Sequence, residues 1–289
     1  MQAGPPCRIA ALFGFSNRSR YGIIGSAGTN GKRKCKRMNK YFTVNAEGCI
    51  IRCKLYAEGN ADVRKVILFG HGFGGHKDNK AAERFALRVL EKNKGVATVA
   101  FDWPCHGEDV RKTLRLEDCD AYLRLVLDLL RERFGSPELY AYATSFGGYL
   151  FLKYISEHGS PFVKTALRCP AVNMHELLTT VIMKEDELER VRRGKPALVG
   201  FDRKLAVARV FLDSLREADL TQRSFLDYAD DLLIVHGTKD ELIPIAAVRA
   251  FAEDNVIEFE AVEGADHRFQ NPACMDRAIA SILAFFGLR

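Results

Sequence analysis

The chain has 289 residues, 47% hydrophobic and 28% charged, an ordinary balance for a soluble globular protein, and no apolar run nears the roughly 18–20 residues of a membrane span. Its net charge of +6 is unevenly spread: residues 1–37 hold eight Lys or Arg and no acid, which leaves 35 basic against 37 acidic residues in 38–289. The body thus lacks a global positive field, so neither a nucleic-acid partner nor a membrane span is expected.

Residues 1–37 are rich in Gly, Ser, Asn and Arg and show no sustained periodicity. The apolar run Ile9 to Phe15 is barely long enough for a signal-peptide core, and no small-residue cleavage site follows it. A disordered leader is expected, with Met38 as the natural start and a single domain over 38–289. The eight cysteines are dispersed, mostly within apolar segments, and only Cys49 and Cys53 lie close together. Dispersed thiols without a second pair favour free cysteines, a reducing compartment and a cytoplasmic location.

From Tyr41 the pattern becomes regular. Tyr41–Val44 and Cys49–Tyr56 read as a hairpin around Asn45 to Gly48, and Lys65–Phe69 as a short apolar strand. Asp78–Glu91 has helical spacing, Val96–Phe101 reads as a buried strand, and Glu117–Phe134 as an amphipathic helix with Leu123, Val126, Leu127 and Leu130 on one face. Leu139–Thr144 is a strand followed by a helix through Tyr154. Thr165–Leu167, Leu232–His236 and Ile257–Val262 are further strands, the last two each followed by a helix. This alternation predicts an α/β fold, a mostly parallel central sheet with helices on both faces. Between about 172 and 225 only helical patterns are visible, which predicts a helical cap inserted after the sixth strand.

Chemistry concentrates at strand ends. Tyr142-Ala143-Thr144-Ser145-Phe146-Gly147-Gly148 follows a buried strand and opens a helix, the setting of a nucleophile elbow whose flanking positions must be small. Ala143 stands where such motifs usually have Gly. Read without its partners, Ser145 could equally cap a helix. A serine nucleophile needs a base and a carboxylate to orient that base. Asp240 ends the loop after Leu232–His236, with Glu241 as the nearest substitute, and His267 follows Glu260–Val262 and a Gly-containing loop. Two backbone N–H groups must receive the oxyanion. Phe146, next to the serine, and Phe73, in His71-Gly72-Phe73-Gly74-Gly75, are the candidates. That loop lacks the Gly-Lys-Ser/Thr ending of a phosphate-binding loop. His71 and His236 read as loop braces, His106 as a residue that could line the site, and His76, His158 and His175 have no carboxylates at metal-ligand spacing.

Taken together, these segments resemble the α/β-hydrolase superfamily across residues 41 to 288. The loop at His71–Gly75 and the string Phe101-Asp102-Trp103-Pro104-Cys105-His106-Gly107-Glu108 are similar to the capped group of serine aminopeptidases, monoacylglycerol lipases and gut-bacterial feruloyl esterases. The resemblance implies the α/β-hydrolase fold and hydrolysis of a small-molecule ester or amide through an acyl-enzyme, with no metal or organic cofactor. A small or medium carboxylic ester, including the aryl or feruloyl type, is the first reading. A serine peptidase or amidase, an acyltransferase and a non-catalytic binding protein on a hydrolase scaffold remain the alternatives. Substrate identity and oligomeric state are not legible.

Overall fold

A computed structural model of the chain describes residues 37–59 and 62–289, so the expectations for the leader lie outside the described residues except at Arg37, its last residue, which opens the first strand. Strands β1 (Arg37–Ala46) and β2 (Cys49–Glu58) pair antiparallel across Glu47 and Gly48. Both turn residues have positive φ, 51° and 73°, the backbone twist that a two-residue hairpin loop requires.

Strands and helices then alternate as expected: β3 (Lys65–Gly70), α1 (Lys80–Lys92), β4 (Val96–Phe101), α2 (Leu116–Phe134), β5 (Glu138–Thr144), α3 (Phe146–His158) and β6 (Lys164–Arg168). An insertion follows, comprising α4 (Met174–Glu176), a π-helical stretch (Leu177–Ile182), α5 (Glu185–Arg192), β7 (Ala197–Val199), β8 (Leu205–Val207), α6 (Arg209–Glu217) and two 3₁₀ turns. The sheet resumes with β9 (Leu232–Gly237), α7 (Ile245–Asp254), β10 (Glu258–Val262) and α8 (Pro272–Phe285). The eight strands lie in the order β1-β2-β4-β3-β5-β6-β9-β10, and all neighbours from β4 to β10 are parallel.

Side chains alternate across the sheet and divide the core in two. Val66 and Leu68 of β3 join the apolar faces of α2, α3 and α7, whereas Ile67 and Phe69 join those of α1 and α8. Both faces are therefore covered, which is why the central strands read as unbroken apolar runs.

The insertion departs from the helix-only expectation. Ala197–Val199 and Leu205–Val207 pair as an antiparallel hairpin. Strands of three residues are too short for a two-residue alternation to register in sequence. Among the described residues no helix is long and apolar enough to cross a membrane.

Candidate active site

The parallel strands all end at one edge of the sheet, and the candidate residues follow those ends, where open α/β sheets bind ligands. Ser145 lies between β5 and α3 with φ 51° and ψ −118°, a conformation sparsely populated by residues with a side chain. Its surroundings fix it there. The Ser145 N–H donates to the Arg168 carbonyl at 3.1 Å, and the Ser145 carbonyl accepts from Tyr149 and Ala171. A Cβ on Gly147 would lie 2.5 Å from the Gly70 carbonyl oxygen, so only glycine lets α3 start this close to β3. Ala143 is accommodated because its register partner on β3 is Gly70, which has no side chain to compete with the methyl group.

Asp240 and His267 come from the next two strand ends. Thr238 N–H donates to Val262 O at 3.1 Å and Lys239 N–H to Ala265 O at 2.9 Å, locking the two loops together. A Cβ on Gly237 would fall within van der Waals contact of the Ala265 carbonyl, so this approach also needs a glycine. The Asp240 carboxylate is fully buried. One oxygen accepts the N–H groups of Leu242 and Ile243 at 3.0 and 2.8 Å; the other lies 2.8 Å from His267 Nδ1 and 3.2 Å from His236 Nε2. Burial pushes its pKa up, but hydrogen bonds from His236, His267 and the Ile243 N–H outweigh it and hold the carboxyl well below the usual carboxylate range. An ionised Asp240 only accepts, so the His267 ring proton sits on Nδ1 and Nε2 is left as a base. Ser145 Oγ and His267 share one cleft but make no hydrogen bond to each other here. Such pairs are often loose without substrate.

Glu241, the substitute considered for Asp240, instead accepts the backbone N–H of His267 at 3.2 Å. Asp266 accepts from Gln270 N–H within its own loop. His236 Nε2 also lies 3.0 Å from Ile243 O, so it braces the Asp240 loop.

The first N–H groups of a helix have no intrahelical acceptor, and Phe146 supplies the first one of α3. Phe73 is held beside it, its ring edge-on to Phe146 at 5.6 Å. His106 does not line the cleft. It is fully buried, stacks on Phe146 at 6.0 Å and meets Phe73 edge-on at 5.9 Å, beneath both candidate donors. Burial pulls its pKa down to about 4, so it is a neutral spacer at neutral pH. The loop carrying Phe73 is anchored further along, where Asp102 accepts the N–H groups of Lys77 and Glu108 at 2.7 and 3.0 Å.

Two donor clusters arise that sequence spacing does not show: Cys169, His236 and Asp240, and Asp120, Glu157 and His158. In the first, burial and the neighbouring Asp240 charge hold the Cys169 thiol protonated, and its hydrogen bond goes to that carboxylate. In the second, His158 does have a carboxylate partner, Asp120, at 3.0 Å, and the Lys153 ammonium already pairs with both acids. The donor atoms that face one another in each cluster are thus already engaged, although His236 Nδ1, on the far side of its ring, is buried without a partner.

Ser145, His267 and Phe73 open onto one cleft of about 1130 Å³. The insertion contributes Met174, Leu177, Ile182 and Phe201 to its lining, and β6 contributes Arg168. None of these five was singled out from sequence: the insertion residues carry only a generic helical or loop pattern, and Arg168 falls just beyond the strand expected at Thr165–Leu167.

The family model described as "Alpha/beta hydrolase family" matches residues 66–278. No curated protein matches the sequence. Among solved structures, Est1E from Butyrivibrio proteoclasticus with ferulic acid bound aligns with a TM-score of 0.66 at 20% identity, over 85% of this chain and 99% of that one. The esterase domain of a Rhodothermus marinus protein gives 0.63 at 19% identity, over 86% and 97%. Mouse alpha/beta hydrolase domain-containing protein 10 gives 0.63 at 14%, over 86% and 98%. At these identities the likeness is one of fold.

Proposed function

The chain belongs to the alpha/beta hydrolase family, and we propose that it is a serine hydrolase cleaving small or medium carboxylic esters, with Ser145 as nucleophile, His267 as base and Asp240 as the residue that orients the base. One observation carries this reading. An imidazole tied through Nδ1 to a buried, ionised carboxylate at 2.8 Å shares a cleft with a serine strained into positive φ.

In the proposed reaction His267 Nε2 takes the Ser145 proton as Oγ attacks the ester carbonyl. The resulting oxyanion is received by the N–H groups of Phe146 and Phe73. His267 then protonates the departing alkoxide, leaving an acyl-serine, and activates the water that hydrolyses it. Asp240 keeps the ring oriented and stabilises its charged form throughout. The six described cysteines, all buried free thiols, suit a reducing, cytoplasmic compartment.

An ester is favoured over an aminoacyl amide because the cleft offers a substrate ammonium little. Its one carboxylate besides the candidate machinery, Asp202, is exposed and already paired with Arg268 at 3.2 Å. A panel of chromogenic acyl and aryl esters beside aminoacyl anilides tests the proposal. Ester turnover should exceed anilide turnover, and Ser145→Ala should lower kcat by roughly 10⁴–10⁶, the scale of losing a triad member. Faster anilide cleavage would transfer the reading to a peptidase, and an active Ser145→Ala would remove the mechanism.

A further inference from the structure

The molecule without residues 1–37 carries slightly more acid than base, yet the cleft beside Ser145 is lined by six cations, Lys80, Arg84, Arg168, Arg203, Lys204 and Arg268. Two are neutralised, Arg84 by Asp276 at 2.7 Å and Arg268 by Asp202 at 3.2 Å. The other four have no carboxylate partner among the described residues. Arg203 is held by carbonyls alone, donating to Gly107 O at 2.6 Å and Cys105 O at 3.1 Å.

Arg168 is the one that needs an explanation. It ends β6 beside Thr144, its carbonyl holds the Ser145 N–H, and the residue is only 6% exposed. A guanidinium taken out of water at that depth is costly unless an anion or a full set of acceptors receives it. Here neither is present. Nη1 donates to the Arg268 carbonyl at 3.1 Å and touches the Met275 sulfur at 4.0 Å, and the group lies over the Phe269 ring at 4.9 Å. Nε is buried without a partner, whereas Nη2, which is not sealed off in this way, makes no hydrogen bond to any described residue. Arg268, whose carbonyl orients the guanidinium, directly follows His267, so the unmet donors lie next to the reacting centre.

Building on the hydrolase reading above, we propose that this cleft takes an ester that carries its own negative charge, a carboxylate or a phosphate. Arg168 receives that anion in the interior, while Lys80 and Lys204 attract it from the rim. The free Nη2 N–H groups of this guanidinium give either anion a charge-assisted hydrogen bond, which a neutral acyl chain cannot use.

The test compares the 4-nitrophenyl monoester of glutaric acid with its methyl-capped diester, two substrates that differ in one charge. The free acid should have the higher kcat/KM by roughly tenfold to a hundredfold, the worth of a charge-assisted hydrogen bond. Its advantage should shrink as ionic strength rises from about 0.01 M to about 1 M, which cuts the Debye length from about 30 Å to about 3 Å. Arg168→Gln should bring the ratio near one, and Arg168→Lys should retain part of it, because the charge is kept and the guanidinium's fixed donor direction is lost. If the Arg168 variants do not fold, Lys80→Gln with Lys204→Gln, both on the exposed rim, should weaken the salt dependence. Calorimetric titration of the methyl monoester of glutaric acid and of dimethyl glutarate into Ser145→Ala reads binding without turnover, so it decides the anion question even if neither nitrophenyl ester is cleaved. Failure of cleavage would count against the hydrolase reading, and equal rates and equal binding of acid and capped ester would overturn the anionic class. Competition by glutarate against competition by inorganic phosphate separates the two headgroups, and competition by neither would also overturn it.

Discussion

At the residue scale the site is assembled by what is left out as much as by what is present. Gly237 lets the Asp240 and His267 loops interlock, and Gly147 lets the helix that follows Ser145 start against β3. Gly237→Ala should therefore cost about 1–3 kcal/mol of stability, the range for overpacking a close contact. It should also lower kcat, because the displaced loops hold the Asp240–His267 pair, and KM should change with it, because Leu242, Arg268 and Phe269 of the same loops line the cleft. Thermal unfolding with steady-state kinetics checks both, and an unchanged kcat would mean that the loops tolerate separation. The positions of Ser145, Asp240 and His267 were legible because each follows a predicted strand, in the chain order serine, acid, histidine, with small residues flanking the serine. Arg168 was not legible. Its interest lies in having no carboxylate partner among the described residues, and that is visible only once the chain is folded.

At the element scale the insertion between β6 and β9 separates two kinds of apolar residue that the sequence does not. Leu178 and Phe211 are fully buried within the core, whereas Met174, Leu177 and Ile182 line the cleft. All five sit in similar helical patterns, so sequence periodicity assigns them alike, and only the packing direction of the short helices divides them. Phe211→Ala should lose about 3–5 kcal/mol of stability, as for a large buried aromatic, with relative rates among esters unchanged. Ile182→Ala should do the reverse, keeping the melting temperature within a few degrees while changing the ratio of long-chain to acetyl ester turnover. Equal effects of Ile182→Ala on every ester would mean that this wall supports the fold without touching substrate. The β7–β8 hairpin escaped the sequence reading for its own reason: two three-residue strands bury too few alternating positions to be told from a loop.

At the scale of the whole molecule, the alternation of strands and helices was plain in the sequence because both faces of the sheet are covered, and that covering writes long apolar runs into its central strands. The parallel order then carries three separate strand ends to one edge, with Ser145, Asp240 and His267 at the ends of β5, β9 and β10. Charge is less evenly arranged than the totals suggest. A body with a slight excess of acid lines the cleft with cations, four of them without a carboxylate partner among the described residues, a field that a count of Lys and Arg averages away. The central claim is that Ser145 is a nucleophile activated by His267. Intact-mass analysis and peptide mapping after treatment with a fluorophosphonate test it most directly. One adduct per chain should form, on Ser145, with ester turnover falling in proportion to labelling, and His267→Ala should remove the labelling while the fold persists. A folded chain that stays unlabelled, or that carries the adduct on another residue while turnover is lost, would contradict the account.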